Sequence, residues 1–167
     1  MSERRILGRF IVIDPDVANG EPSFRGTDAT VREVVERIAN GEHWDTLIGQ
    51  MEGALSRRAI AEALALCVDA FLDETRRLRE RSDQTRLELG DYIVMDPAIC
   101  HGTPTYRGSR VMVWQVLRAL EDESDWEMIR HSWHGTATDP AIAESLLLAL
   151  RMFLDRVSDF VVETVPA

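Results

Sequence analysis

The chain contains no lysine: all 19 of its basic residues are arginines, set against 29 aspartates and glutamates for a net charge of −10. That excess disfavours a polyanionic partner for the molecule as a whole and leaves only a local arginine cluster to meet phosphate. Cysteine is scarce. Cys67 and Cys100 are too few for a disulfide framework, and with Cys67 inside an apolar run they read as free thiols in a reducing cytoplasm. No long hydrophobic run is present either: Asp69, Glu144 and Arg151 break the apolar stretches, and Met1-Ser-Glu-Arg-Arg-Ile6 lacks a signal core. Neither a membrane span nor an export signal is expected, so the expected location is the cytoplasm. A Gly-rich phosphate loop, a nucleophile elbow and a Cys-His pairing with catalytic context are all missing, and no enzymatic activity and no cofactor are expected. Asp14 and Asp96 each precede a proline, where an aspartate closes a turn, and Glu62 and Glu144 stand alone near helix starts, where they suit the helix dipole.

What the chain has is itself, twice. The stretch Ile11-Val-Ile-Asp-Pro-Asp-Val-Ala-Asn-Gly-Glu-Pro-Ser-Phe-Arg-Gly-Thr27 returns 82 positions later as Ile93-Val-Met-Asp-Pro-Ala-Ile-Cys-His-Gly-Thr-Pro-Thr-Tyr-Arg-Gly-Ser109. The ungapped match runs through residues 10–73 and 92–155, with Asp14/Asp96, Gly20/Gly102, Arg25/Arg107, Trp44/Trp126, Gly53/Gly135 and Glu62/Glu144 among the identities. A period this long is a duplicated domain, with copies at 1–81 and 82–167. Each copy alone would be marginal by surface-to-volume scaling, so a shared core is expected. Charge is uneven: residues 1–82 hold 12 arginines against 15 acids and residues 83–167 hold 7 against 14, so nucleic acid, if bound, belongs to the first copy.

Residues 1–8 read as a frayed arm, made basic by Arg4, Arg5 and the adjoining Arg9. Phe10–Ile13 is a β-rich run that can pair with Pro22–Arg25 across Asn19-Gly20 to give a short hairpin. Then the period becomes helical. Val31, Val34, Val35 and Ile38 share one face, as do Val113, Val116, Leu117 and Leu120; Thr30 with Glu33 makes a capping box and Asn40-Gly41 stops the first helix. A short second helix follows at about His43–Gln50 and Asp125–Ser132, with Trp44 and Trp126 as core anchors, and Ser56 or Asp139-Pro140 opens a long third helix. From Ala59 to Leu72 only Glu62 and Asp69 are polar, and from Ala141 to Leu150 only Glu144 and Ser145. A helix apolar all round must be enclosed, and the simplest enclosure packs the two long helices together about a pseudo-twofold axis, making the chain a covalent pseudo-dimer that could associate further. Residues 74–91 read as a solvated helix end and connection, and Phe160–Val165 as an apolar tail, either a strand of the protein's own sheet or one offered to a partner.

Cys100, His101, His131 and His134 do not read as a metal site, because their counterparts in the first copy are Ala18, Asn19, Gly49 and Glu52. Arg25-Gly26-Thr27 and Arg107-Gly108-Ser109 are the strongest polar feature. The glycine would supply an unusual backbone conformation, and the arginine would either bond carbonyls or the turn aspartate, or clamp a phosphate.

Asp-Pro, then Gly-x-Pro-x-apolar-Arg-Gly-Thr/Ser, then Val-x-x-Val-apolar with the Ala39-Asn-Gly41 stop and the Leu55-Ser-x-x-x-Ile60 helix start, resembles the bacterial domain-of-unknown-function family four-three-three, related to VapB-type antitoxins. The resemblance implies a mainly α chain of two tandem three-helix units, homeodomain-like, helix-turn-helix or winged-helix-like, each behind a short β-hairpin. It also implies a DNA-binding antitoxin or transcriptional regulator, with DNA or a toxin as partner. Carried onto this chain, Ser56, Arg57 and Arg58 would begin a recognition helix, joined by Arg25. The second copy departs from this with Thr138-Asp139-Pro140 and carries Trp114 and Trp133 where the first has Arg32 and Met51. Trp114 is either an inter-copy contact or a partner anchor. The alternative function is a protein-binding adaptor that has lost DNA contact and acts through Trp114, Trp133, Phe160 and Val162.

Overall fold

The computed structural model describes residues 3–51, 53–122 and 126–162, with side chains as far as Ser158. In the first copy β1 (Arg5–Ile6), β2 (Ile11–Ile13) and β3 (Pro22–Phe24) precede α1 (Val31–Ala39), α2 (Trp44–Gln50) and α3 (Arg57–Arg81). The second repeats the order as β4 (Leu87–Glu88), β5 (Ile93–Met95), β6 (Thr105–Tyr106), α4 (Val113–Asp122), α5 (Trp126–Ser132) and α6 (Asp139–Val162). The protein is thus mainly helical, with a small antiparallel three-stranded sheet in each copy whose middle strand is β2 or β5.

The expected hairpins form, Ile11 opposite Phe24 and Ile93 opposite Tyr106. Asp14 and Asp96 close their turns as read: Oδ1 of Asp14 accepts from the Asp16 N–H (3.0 Å) and Oδ1 of Asp96 from the Ala98 N–H (2.9 Å). Each turn ends in three consecutive left-handed residues, Ala18, Asn19 and Gly20 (φ 49°, 57° and 78°) and Cys100, His101 and Gly102 (φ 48°, 56° and 80°), a conformation only glycine adopts without strain.

The stripe residues of α1 and α4 are all buried. Thr30 Oγ1 caps α1 by accepting from the Glu33 N–H at 3.1 Å. Trp44 is buried and Trp126 half-buried, and both lie against the core. One hydrophobic cluster runs through both copies. The helices α3 and α6 pack along each other, and each is roofed by the first helix of the other copy, α4 lying on α3 and α1 on α6. Ile60, Ala63, Leu64, Cys67, Val68 and Phe71 of α3 are consequently fully enclosed, and burial pushes the Cys67 thiol up from its ordinary pKa.

Three expectations need correction. The first eight residues are not wholly a frayed arm: Arg5 and Ile6 pair with Ile13 and Val12 as β1, because β2 offers its second edge to whatever chain precedes it. The connection holds a strand as well, since Leu87 and Glu88 pair with Met95 and Val94. Finally, α6 continues through Val162, so residues 160–162 are helical rather than the start of a strand; 163–167 lie outside the described residues.

Candidate nucleic-acid interface

The Arg-Gly-Thr turn is built by its own backbone. The Arg25 N–H donates to Phe10 O at 2.7 Å, closing β3 onto β2, and Gly26 then turns with φ +79°. The Thr27 hydroxyl donates to Phe24 O and accepts from the Ala29 N–H, both at 3.0 Å. The second copy repeats each feature, with Arg107 N to Tyr92 O at 2.8 Å, Gly108 at φ +76° and Ser109 in place of Thr27.

Against this turn lies the segment joining β1 to β2, tied to the long helix by a carboxylate. Glu62 on α3 accepts from the Arg9 N–H at 2.8 Å with Oε1 and from the Phe10 N–H at 2.7 Å with Oε2. Glu144 on α6 does the same for Asp91 (3.1 Å) and Tyr92 (3.0 Å). The fork replaces the dipole role expected of these glutamates: each carboxylate satisfies two backbone donors of the segment that leads into the middle strand. A Cβ on Gly8 would stand 2.7 Å from the Glu62 carboxyl, so the clamp explains the glycine as well.

The arginines divide by what they touch. Arg25 reaches Gly8 O at 3.4 Å, so it bonds a carbonyl and not the turn aspartate. Arg9 lies over the Phe10 ring, 5.4 Å from its centroid. Arg58 stands one helical turn before Glu62 on the same face of α3 and is exposed. Among the described residues, Arg9, Arg25 and Arg58 have no carboxylate partner within 4.0 Å. Arg57, by contrast, is paired with Asp45 at 2.6 Å, and Ser56 is the α3 cap, its hydroxyl accepting from the Ala59 N–H at 3.1 Å. The backbone links their positions: Gly8 and Arg9 adjoin the Glu62 clamp, the Arg25 guanidinium reaches Gly8 O, and Arg58 precedes Glu62 by one turn on α3.

The second copy cancels the corresponding charge. Arg107 donates to Asp91 O (3.0 Å), Gly90 O (3.2 Å) and the Glu88 carboxylate. The Arg107 guanidinium holds the Glu88 carboxyl below its ordinary range, and Glu88 in turn raises Arg107. Asp91 and Pro140 stand where the first copy has Arg9 and Arg58, and Asp139 pairs with Arg130 at 3.1 Å.

The other sequence-derived candidates are scattered. Trp133 is half-buried against the core, and Trp114 is half-buried on α4. Phe160 and Val162 lie on the last turn of α6, their side chains outside the described residues. Cys100 and His101 are turn residues, while His131 and His134 are exposed at the end of α5; among the described residues no three His, Cys, Asp or Glu side chains are grouped to hold a metal ion. Sequence reasoning missed the Glu62 and Glu144 clamps, although the signal was there: the two acids recur on otherwise apolar helices, and Gly8 and Gly90 recur at the same offset.

No helix among the described residues is long and apolar enough to cross a membrane. Comparison with curated proteins and with solved structures gives no match. A family profile described as "Protein of unknown function (DUF433)" matches twice, at residues 11–67 and 93–139, each match beginning at the middle strand of a sheet. Those two segments cover more than half of the chain and both of its repeats, and the protein therefore belongs to the DUF433 family.

Proposed function

We propose that the protein is a non-enzymatic, antitoxin-like DNA-binding regulator that engages phosphate through its first copy, with α2 and α3 acting as a helix-turn-helix pair. One observation carries this reading: Arg9, Arg25 and Arg58, none with a carboxylate within 4.0 Å among the described residues, belong to the segment, turn and helix start that the Glu62 clamp joins, in a chain whose net charge is −10. Cations kept unpaired at a helix start, where backbone N–H groups also point outward, suit an anionic backbone. Arg57 contributes less than the sequence suggests, being paired with Asp45. The test is a mobility-shift titration on DNA from upstream of the gene, at several salt concentrations. Arg9→Ala and Arg58→Ala should each weaken binding and reduce the slope of log affinity against log salt by about 0.9 for every phosphate no longer neutralised. Arg57→Ala should matter less. Failure of the wild type to bind at low salt would end this reading.

A second reading, a protein-binding adaptor, is favoured by a groove of about 740 Å3 where Leu89, Ala143, Leu147 and Leu154 of the second copy lie among charged residues that include Arg32 and Glu36 of the first, with Leu147 42% exposed. A partner recovered with the wild type and absent with Leu147→Glu would support it.

A further inference from the structure

The backbone around the Arg-Gly turn is the same in both copies: the hairpin, the left-handed glycine and the glutamate clamp all repeat. What differs is the charge hung on it. Position 6 on β1 is isoleucine, and its counterpart on β4 is Glu88. Glu88 pairs with Arg86 at 3.2 Å, which Asp96 also meets at 3.6 Å, and the same carboxylate holds Arg107. Those two arginines are the counterparts of Arg4 and Arg25, which have no carboxylate within 4.0 Å among the described residues. Two further positions change outright, Arg9 to Asp91 and Arg58 to Pro140. The first copy thus keeps four unpaired arginines at these positions against Asp28, whereas the second keeps Arg110, the counterpart of Asp28, against Asp91.

Building on the reading of the first copy as a phosphate-binding face, we propose that the second copy is the same face silenced at Glu88, Asp91 and Pro140, so that the chain takes DNA as a single half-site. A dimer of two like domains presents two equivalent faces and reads a palindrome. Here the twofold relation survives in the backbone and is broken in the charge. Phosphate is attracted at one face only, since at the other two arginines are already neutralised by Glu88 and a third position carries a carboxylate. One chain therefore holds one duplex, and the sequence it holds needs no dyad symmetry.

The test counts duplexes. The full chain is sedimented in low salt with an excess of a labelled, random-sequence DNA duplex of about one helical turn. Wild type should carry one duplex per chain. Glu88→Ile with Asp91→Arg and Pro140→Arg, which gives the second copy the residues of the first, should carry two, and should keep one when Arg9→Ala and Arg58→Ala are added. Glu80→Arg with Asp122→Arg makes the same change in net charge at exposed sites elsewhere and should still carry one. Should the triple variant fail to fold, Glu88→Gln with Asp91→Arg leaves the start of α6 untouched and should take the second duplex in its place. A wild type that carries two duplexes or shares one between two chains, a converted second copy that takes none, or a control that gains as much would overturn the proposal while the DNA-binding reading stands. A wild type that carries no duplex overturns both.

Discussion

Tyr106 and Ser145 show how a buried pair of residues changes together. Their hydroxyls meet at 2.8 Å, and the Ser145 hydroxyl also donates to Ala141 O at 2.7 Å; the first copy has Phe24 and Ala63 at these positions. Burial raises the Tyr106 phenol pKa, with the Ser145 bond opposing. Ser145→Ala leaves that phenol buried without a partner and should cost about 1–3 kcal/mol by urea unfolding. Tyr106→Phe leaves Ser145 bonded to Ala141 and should cost about 1 kcal/mol or less. The double variant, which recreates the first copy's pair, should be less destabilised than Ser145→Ala alone, a coupling of roughly 0.5–3 kcal/mol in the cycle. A surface counterpart is Glu88 beside Arg107. Because the folded carboxyl titrates below its ordinary value, stability from this contact is complete above the ordinary carboxylate pKa and disappears as pH falls through the lowered one. Titration followed by NMR should show the Glu88 carboxyl moving up in Arg107→Ala, with Arg86 still holding part of the lowering.

At the scale of elements, the start of α3 is fixed by one hydroxyl. Ser56→Ala removes the acceptor for the Ala59 N–H and should lower stability by about 1 kcal/mol, read from the urea midpoint at unchanged slope. The clamps are stiffer. Gly8→Ala forces a methyl group onto the Glu62 carboxyl and should cost about 1–3 kcal/mol. Helices were legible in the sequence because their signals are local and periodic: the valine stripes, the Thr30 and Ser56 caps and the Gly41 stop all stand where the structure uses them. β1 and β4 were not, since strands of two residues carry no pattern and exist only because β2 and β5 offer a free edge. Among the arginines, Arg57 stood out beside Arg58, yet only the fold reveals that Asp45 occupies it while Arg9 is left open. Pairing between residues distant in sequence leaves no trace in spacing.

The whole molecule should unfold as one unit, because a single core takes side chains from both halves and each long helix is covered by elements of the other. Trp44 is the sole tryptophan of the first copy. With Trp114, Trp126 and Trp133 changed to Phe, Trp44 fluorescence and far-UV circular dichroism should give coincident urea transitions; an earlier fluorescence change would separate the halves. The five residues from Ser82 to Arg86 that link α3 to β4 have a bearing on how the protein works at scarcity. Two separate chains of this kind would drift apart on dilution, the concentration of pairs falling with the square of abundance. Joined end to end, the halves meet by an intramolecular event whose likelihood ignores how many neighbours are present, so even a solitary molecule arrives complete.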